Sequence, residues 1–114
     1  NKKDSQASPI IEMIQKIRVE NLPDDIKNKT VEIHLISDLL QHSDDFSFYR
    51  NYNVKQFLKS LQFQKITSDL RGIEVIIWQL LNSKIDNIQL KDYWIEIFKK
   101  MNPNLLPSTN IIAG

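Results

Sequence analysis

The chain contains no cysteine. A structural disulfide, a Cys-ligated zinc and a cysteine nucleophile are therefore excluded, and the lack suits a reducing, intracellular setting. Glycine is nearly as scarce, occurring only at Gly72 and Gly114. There is no Gly-rich phosphate loop and no Gly-x-Ser-x-Gly elbow. An excess of one charge is also missing, since 15 basic and 14 acidic residues leave a net charge of +1. That balance argues against a strongly electrostatic partner such as duplex DNA. Arginine is confined to Arg18, Arg50 and Arg71, which limits bidentate phosphate recognition. No apolar run approaches the ~18 residues of a membrane span, and no charged-then-apolar leader opens the chain. The first residue is Asn rather than Met. We read the chain as part of a larger intracellular protein, nuclear or cytoplasmic.

What is present is an ordinary globular composition over 114 residues, 41% hydrophobic and 25% charged. That is enough for one domain with a core of its own. The most apolar stretch runs from Ile66 to Asn82. At about 100° per residue, Leu70, Ile73, Ile76, Ile77, Leu80 and Leu81 share one arc. The reading is a central helix, capped by Thr67 or Ser68, with Gly72 tolerated inside it. Arg71, Val75 and Trp78 form a second stripe on this helix. It is covered either by another helix or by a partner that uses the Trp–Arg pair as a hot spot.

The other expected elements are also helical. Ser8-Pro9 starts a helix that ends before Asn21-Leu22-Pro23. A second helix runs from Asp24-Asp25, or from near Lys29, to Gln41. Within it Val31-Glu32-Ile33-His34-Leu35 alternates like a strand, but Ile36, Leu39 and Leu40 restore the helical period. Asn53 caps a third helix from Val54 to Phe63. A last amphipathic helix spans Leu90 to Met101 and is stopped by Asn102-Pro103. The fold expectation is all-α, a single small bundle of about five helices. A polar lead occupies residues 1–8, the bundle residues 9–101, and a docked or unstructured tail residues 102–114. The core set is Ile14, Ile17, Ile33, Ile36, Leu40, Phe57, Leu61, Ile73, Ile77, Leu80, Trp94, Ile97 and Phe98.

Residues 42–53 read as a loop, and Phe46, Phe48, Tyr49 and Tyr52 give it an unusual density of rings. These rings either fold back onto the end of the bundle or present a sticky patch. His34, Asp38 and His42 are spaced four apart and would share a helix edge. Two imidazoles and a carboxylate can bind zinc, but the plainer reading is a solvated His–Asp pair. Asp44 and Asp45 are ordinary turn residues rather than an acid/base pair.

These features point to a non-catalytic protein-interaction module or scaffold. It binds a partner, or itself, through Arg71, Val75, Trp78, Phe46, Phe48, Tyr49 and Tyr52. A second reading comes from a mild charge asymmetry, +3 over residues 54–101 against −2 over residues 1–53. It places nucleic acid on Lys55, Lys59, Lys65, Lys99 and Lys100. A metal-dependent enzyme at His34, Asp38 and His42 is a remote third. No cofactor, small-molecule substrate or membrane contact is expected.

Overall fold

The computed structural model describes residues 7–23, 31–49, 53–103 and 105–112. Helix α1 (Ile10–Glu20) comes first, followed by strand β1 (Val31–Ser37). Two short helices follow, α2 (Val54–Leu58) and α3 (Leu61–Ile66), and lead into strand β2 (Ile73–Leu80). Helix α4 (Asn87–Lys99) then connects to strand β3 (Ser108–Ile112). The strands form one parallel sheet in the order β1-β2-β3. The all-α helical bundle expected from the sequence is therefore overturned: this is an α/β fold with a three-stranded sheet. Among the described residues, no helix is long and apolar enough to cross a membrane.

The expected second helix contains strand β1, and the expected central helix is strand β2. Its sequence is IEVIIWQL, apolar at nearly every position. A central parallel strand reads as a continuous apolar run, which mimics a helix buried on two sides. The β-branched Ile73, Val75, Ile76 and Ile77 decide the matter, because such side chains pack well on a pleated surface. Gly72 is not inside a helix. It has φ 86° in the turn that launches β2, where a residue without Cβ is favoured. β1 follows the alternation of Val31 to Leu35, with one face half-buried and the other exposed. Asp24 and Asp25, the expected start of a helix here, lie outside the described residues. The tail segment contributes β3, whose partner is β2.

The single helix expected from Val54 to Phe63 is split into α2 and α3, and the last helix begins at Asn87 rather than Leu90; local chemistry sets these starts. The Asn53 side chain accepts from the N–H of Gln56 and caps α2. Ser60 caps α3 by accepting from Phe63, and Asp86 caps α4 by accepting from Gln89. At α1 the cap position is Pro9, which supplies no side-chain bond. Ser8 is instead bridged by backbone bonds to His42. The Oε1 of buried Gln41 accepts from the N–H of Ile11 at 2.9 Å. A loop residue thus satisfies one of the orphan donors at the start of this helix.

The helices of the described residues pack into one core with a single face of β2. Right-handed crossovers running in one direction place both connections on the same side, and the burial agrees. Ile73, Val75, Ile77 and Gln79 of β2 are buried, while the residues between them are only half-buried. The single core cluster joins Ile73, Val75 and Ile77 to Ile11, Ile14, Phe57, Phe63, Trp94, Ile97 and Phe98. Burying each of these large side chains contributes roughly 1.5–3 kcal/mol. Both long helices run against the strands. α1 starts beside Gln41 in the loop after β1, and its Arg18 reaches the carbonyl of Asp69 just ahead of β2. α4 begins where the Gln79 side chain donates to the carbonyl of Asn87. It ends where Met101 accepts from the N–H of Leu70. Of the expected core residues, Ile36 is 63% exposed and Leu61 78% exposed. Ile36 points to the uncovered face of the sheet, and Leu61 opens the short helix α3 on its outer side. Ile17 is likewise exposed, and Leu80 is half-buried on the uncovered face.

Candidate functional site

Among the described residues, the second face of the sheet is the surface left uncovered. Parallel pairing puts Glu32 beside Glu74, and His34 beside Ile76. Ile36 lies beside Trp78, with Asn110 on its other side, and Leu80 lies beside Ile112. Partners in a parallel ladder share a face, so these side chains form one surface. None of its apolar members belongs to the core cluster. The face is polarised along the strands, with carboxylates at the end where β1 and β2 begin and apolar side chains toward the other.

Trp78 is the centre of this surface, and its position is fixed by hydrogen bonding. Its Nε1–H donates to Nδ1 of His34 at 3.0 Å. The two rings are nearly parallel, 12° between planes, with centroids 6.3 Å apart. An indole N–H can only donate, so Nδ1 must be the accepting nitrogen of a neutral imidazole. The proton then resides on Nε2, which lies 3.1 Å from Oε1 of Glu32 and donates to it. The relay Trp78–His34–Glu32 crosses from β2 to β1 and holds the indole down on the sheet.

The residues expected to form a Trp–Arg stripe are separated. Val75 is buried on the opposite face among the helices. Arg71 is in the turn before β2, where its guanidinium pairs with Asp69 at 2.7 Å. Hydrogen bonds from the Arg71 side chain and then from its backbone hold the Asp69 carboxyl below its ordinary value. Only Trp78 reaches the open face. In the ring-rich loop, Phe46 and Phe48 fold back into the core, each 8% exposed. Phe46 stacks on Phe57 at 4.0 Å, and Phe48 lies against Tyr93 and Trp94. Tyr49 is 66% exposed and meets His42 edge-on. Tyr52 lies outside the described residues.

The lysines are on the helical side of the molecule. Lys55 lies in α2 and Lys59 at its C-terminal cap, and Lys100 caps α4. Lys65 pairs with Asp45 and Lys99 with Glu96, each at 3.1 Å. With β1 in place of a helix, His34, Asp38 and His42 no longer share an edge. His34 is on the open face, whereas Asp38 and His42 belong to the loop after β1. Among the described residues, no group of three His, Asp or Glu side chains could hold a metal ion.

Ligands of open parallel sheets gather at the carboxyl ends of the strands, so that edge is the natural rival to the open face. Its polar groups are spent on holding the loops. Ser37 Oγ accepts from Leu39 N, and Asp38 Oδ1 accepts from Leu40 N. Asn87 Oδ1 accepts from Asn82 N, and its amide donates back to the Asn82 carbonyl. A cleft of about 370 Å³ between α2 and α4 is lined by Asn53, Val54, Lys55, Leu58, Tyr93 and Glu96. It has one charge of each sign and no buried polar group converging on a ligand.

The open face was only partly legible from the sequence. The sequence marks Trp78, but a helical period places its neighbours His34, Ile36, Ile76 and Leu80 on helix faces. The signal that locates them is the alternation from Val31 to Leu35, with its even positions Glu32 and His34 on one side. The chain matches no protein-family model, and comparison with curated proteins and with solved structures finds no match to either.

Proposed function

We propose that the protein is a non-catalytic interaction module that engages another protein through the open face of its sheet. The observation that supports this reading is that Trp78, braced by His34, stands among Ile36, Ile76 and Leu80 on a face that no described helix covers. Parallel sheets ordinarily have both faces covered. An uncovered apolar patch centred on an aromatic residue is the composition of a binding hot spot. The paired carboxylates nearby serve specificity rather than proton transfer, because no nucleophile or metal group stands with them among the described residues.

The test is capture from an extract of the source cells, with wild type compared against Ile36→Asp and Trp78→Ala. Ile36 is exposed, so its substitution leaves the core untouched, and circular dichroism verifies the fold of both variants. A protein retained by wild type and lost by both variants is the expected result. Identical capture profiles from all three would overturn the reading.

A further inference from the structure

We infer that the occupant of the open face is a basic amphipathic α-helix of a partner protein, lying along β2 with its cationic end over Glu32 and Glu74. This rests on the reading of the face as a protein contact surface and adds the chemistry of what fills it.

The first observation is charge. Glu32 and Glu74 are register partners, so two carboxylates stand side by side on adjacent strands. Like charges directly opposite destabilise a sheet. Glu32 has His34 for a hydrogen-bond donor. Glu74 has no ion pair among the described residues. The pair is an unmet demand for a cation at one end of an otherwise apolar surface.

The second observation is shape. Adjacent strands are about 4.8 Å apart, so the width from β1 to β3 is roughly 10 Å, about the diameter of one α-helix. The eight residues of β2 extend over about 26 Å, which a helix of about 17 residues matches. Ile36, Trp78, Leu80 and Ile112 form the apolar bed, and Glu32 and Glu74 close one end. A helix with apolar residues spaced three and four apart and Lys or Arg at one end complements both parts.

The same polarity disfavours a second copy of the chain. Two such faces related by a two-fold axis along the strands bring four carboxylates together. A two-fold axis across the strands sets the carboxylates of each copy on the apolar end of the other. Neither arrangement neutralises Glu74.

The experiment is selection of displayed random 18-residue peptides on the immobilised protein, with counter-selection on Ile36→Asp and Trp78→Ala. The expected enrichment is a helical apolar period with Lys or Arg clustered at one end. The best synthetic peptide should lose about tenfold in affinity on Glu32→Lys/Glu74→Lys at low salt, because two attractions become repulsions. It should also gain helical circular dichroism on binding. Peptides with a strand-like alternation, acidic peptides, or binding indifferent to the charge reversal would overturn the basic helix while leaving the face as a contact surface. Enrichment that both counter-selecting proteins retain equally, or no enrichment at all, would overturn the contact surface as well.

Discussion

Trp94 donates its indole N–H to the carbonyl of Leu39 at 2.7 Å, across 55 positions of sequence and inside the core. Both side chains are fully buried. Leu39 is also one of the described non-glycine residues with positive φ, at 67°. A left-handed conformation costs a residue with Cβ about 1–2 kcal/mol. It persists here because its surroundings over-determine it: Ser37 Oγ holds the Leu39 N–H, and Gln41 N and Trp94 Nε1 hold its carbonyl.

Substitution at Leu39 should therefore reverse the usual order of glycine and alanine. Leu39→Ala loses a buried side chain, at about 2–5 kcal/mol, and keeps the strained Cβ. Leu39→Gly loses the side chain but relieves the strain, which offsets the extra chain entropy of glycine. In urea unfolding, the glycine variant should be at least as stable as the alanine variant. A glycine variant weaker by ~1 kcal/mol, as in an ordinary strand or helix, would show that the strain is not there.

Gln41 should matter more than a loop glutamine normally does. Its Oε1 caps Ile11, and its Nε2 donates to Glu12 Oε1 at 2.8 Å. Gln41→Met keeps the volume but leaves the Ile11 N–H buried and unsatisfied, a loss of about 1–3 kcal/mol. The expected signature is faster amide exchange at the first turn of α1, with the strands unchanged. Unaltered exchange at Ile11 would mean that the cap carries no energy.

These two loop residues mark the limit of what the sequence made legible. The capping side chains of α2 and the amphipathic run of α4 are local, and Asn53 and the Leu90–Met101 period gave them away. β1 and β2 depend on tertiary pairing. The helical spacing of Leu70, Ile73, Ile77 and Leu80 was real but accidental, a product of a strand apolar on both faces. The β-branched density of Ile73 to Ile77 was the better guide. β3 had almost no signal, because its five residues, STNII, owe their conformation to the edge of β2. Val75 and Trp78 share a stripe only at a helical period. At a period of two, residues three apart fall on opposite faces. The rings of Phe46 and Phe48 were recognised as unusual, but whether they faced in or out depended on Phe57 and Trp94, which are distant in sequence.

Asp69 and Arg71 provide a test of pH dependence. Arg71 lowers the Asp69 carboxyl from its ordinary value of 3.8, first through its side-chain hydrogen bond. A depressed carboxyl contributes stability above its unfolded value and loses it as pH falls through the folded value. The contribution should therefore be present at neutral pH and disappear below about pH 4. Both side chains are exposed, so solvent screening keeps it small. In Arg71→Ala, an NMR titration should show the Asp69 carboxyl moving up. It should remain below the ordinary value to the extent that the backbone N–H of residue 71 still donates to it. An unmoved titration midpoint would assign the shift elsewhere.

His34 provides the most direct check on the open face. Trp78 can only donate and Glu32 can only accept, so the neutral imidazole should carry its proton on Nε2. Nitrogen-15 spectra of the wild type near neutral pH should show Nδ1 unprotonated. Trp78→Phe keeps an aromatic ring on the face but frees Nδ1, so the Nε2 tautomer should lose its dominance while the circular dichroism of the sheet stays the same. A wild-type Nδ1–H tautomer would break the relay from Trp78 to Glu32. The indole would then be free to swing off the face, and the rigid platform on which the interaction reading depends would be gone.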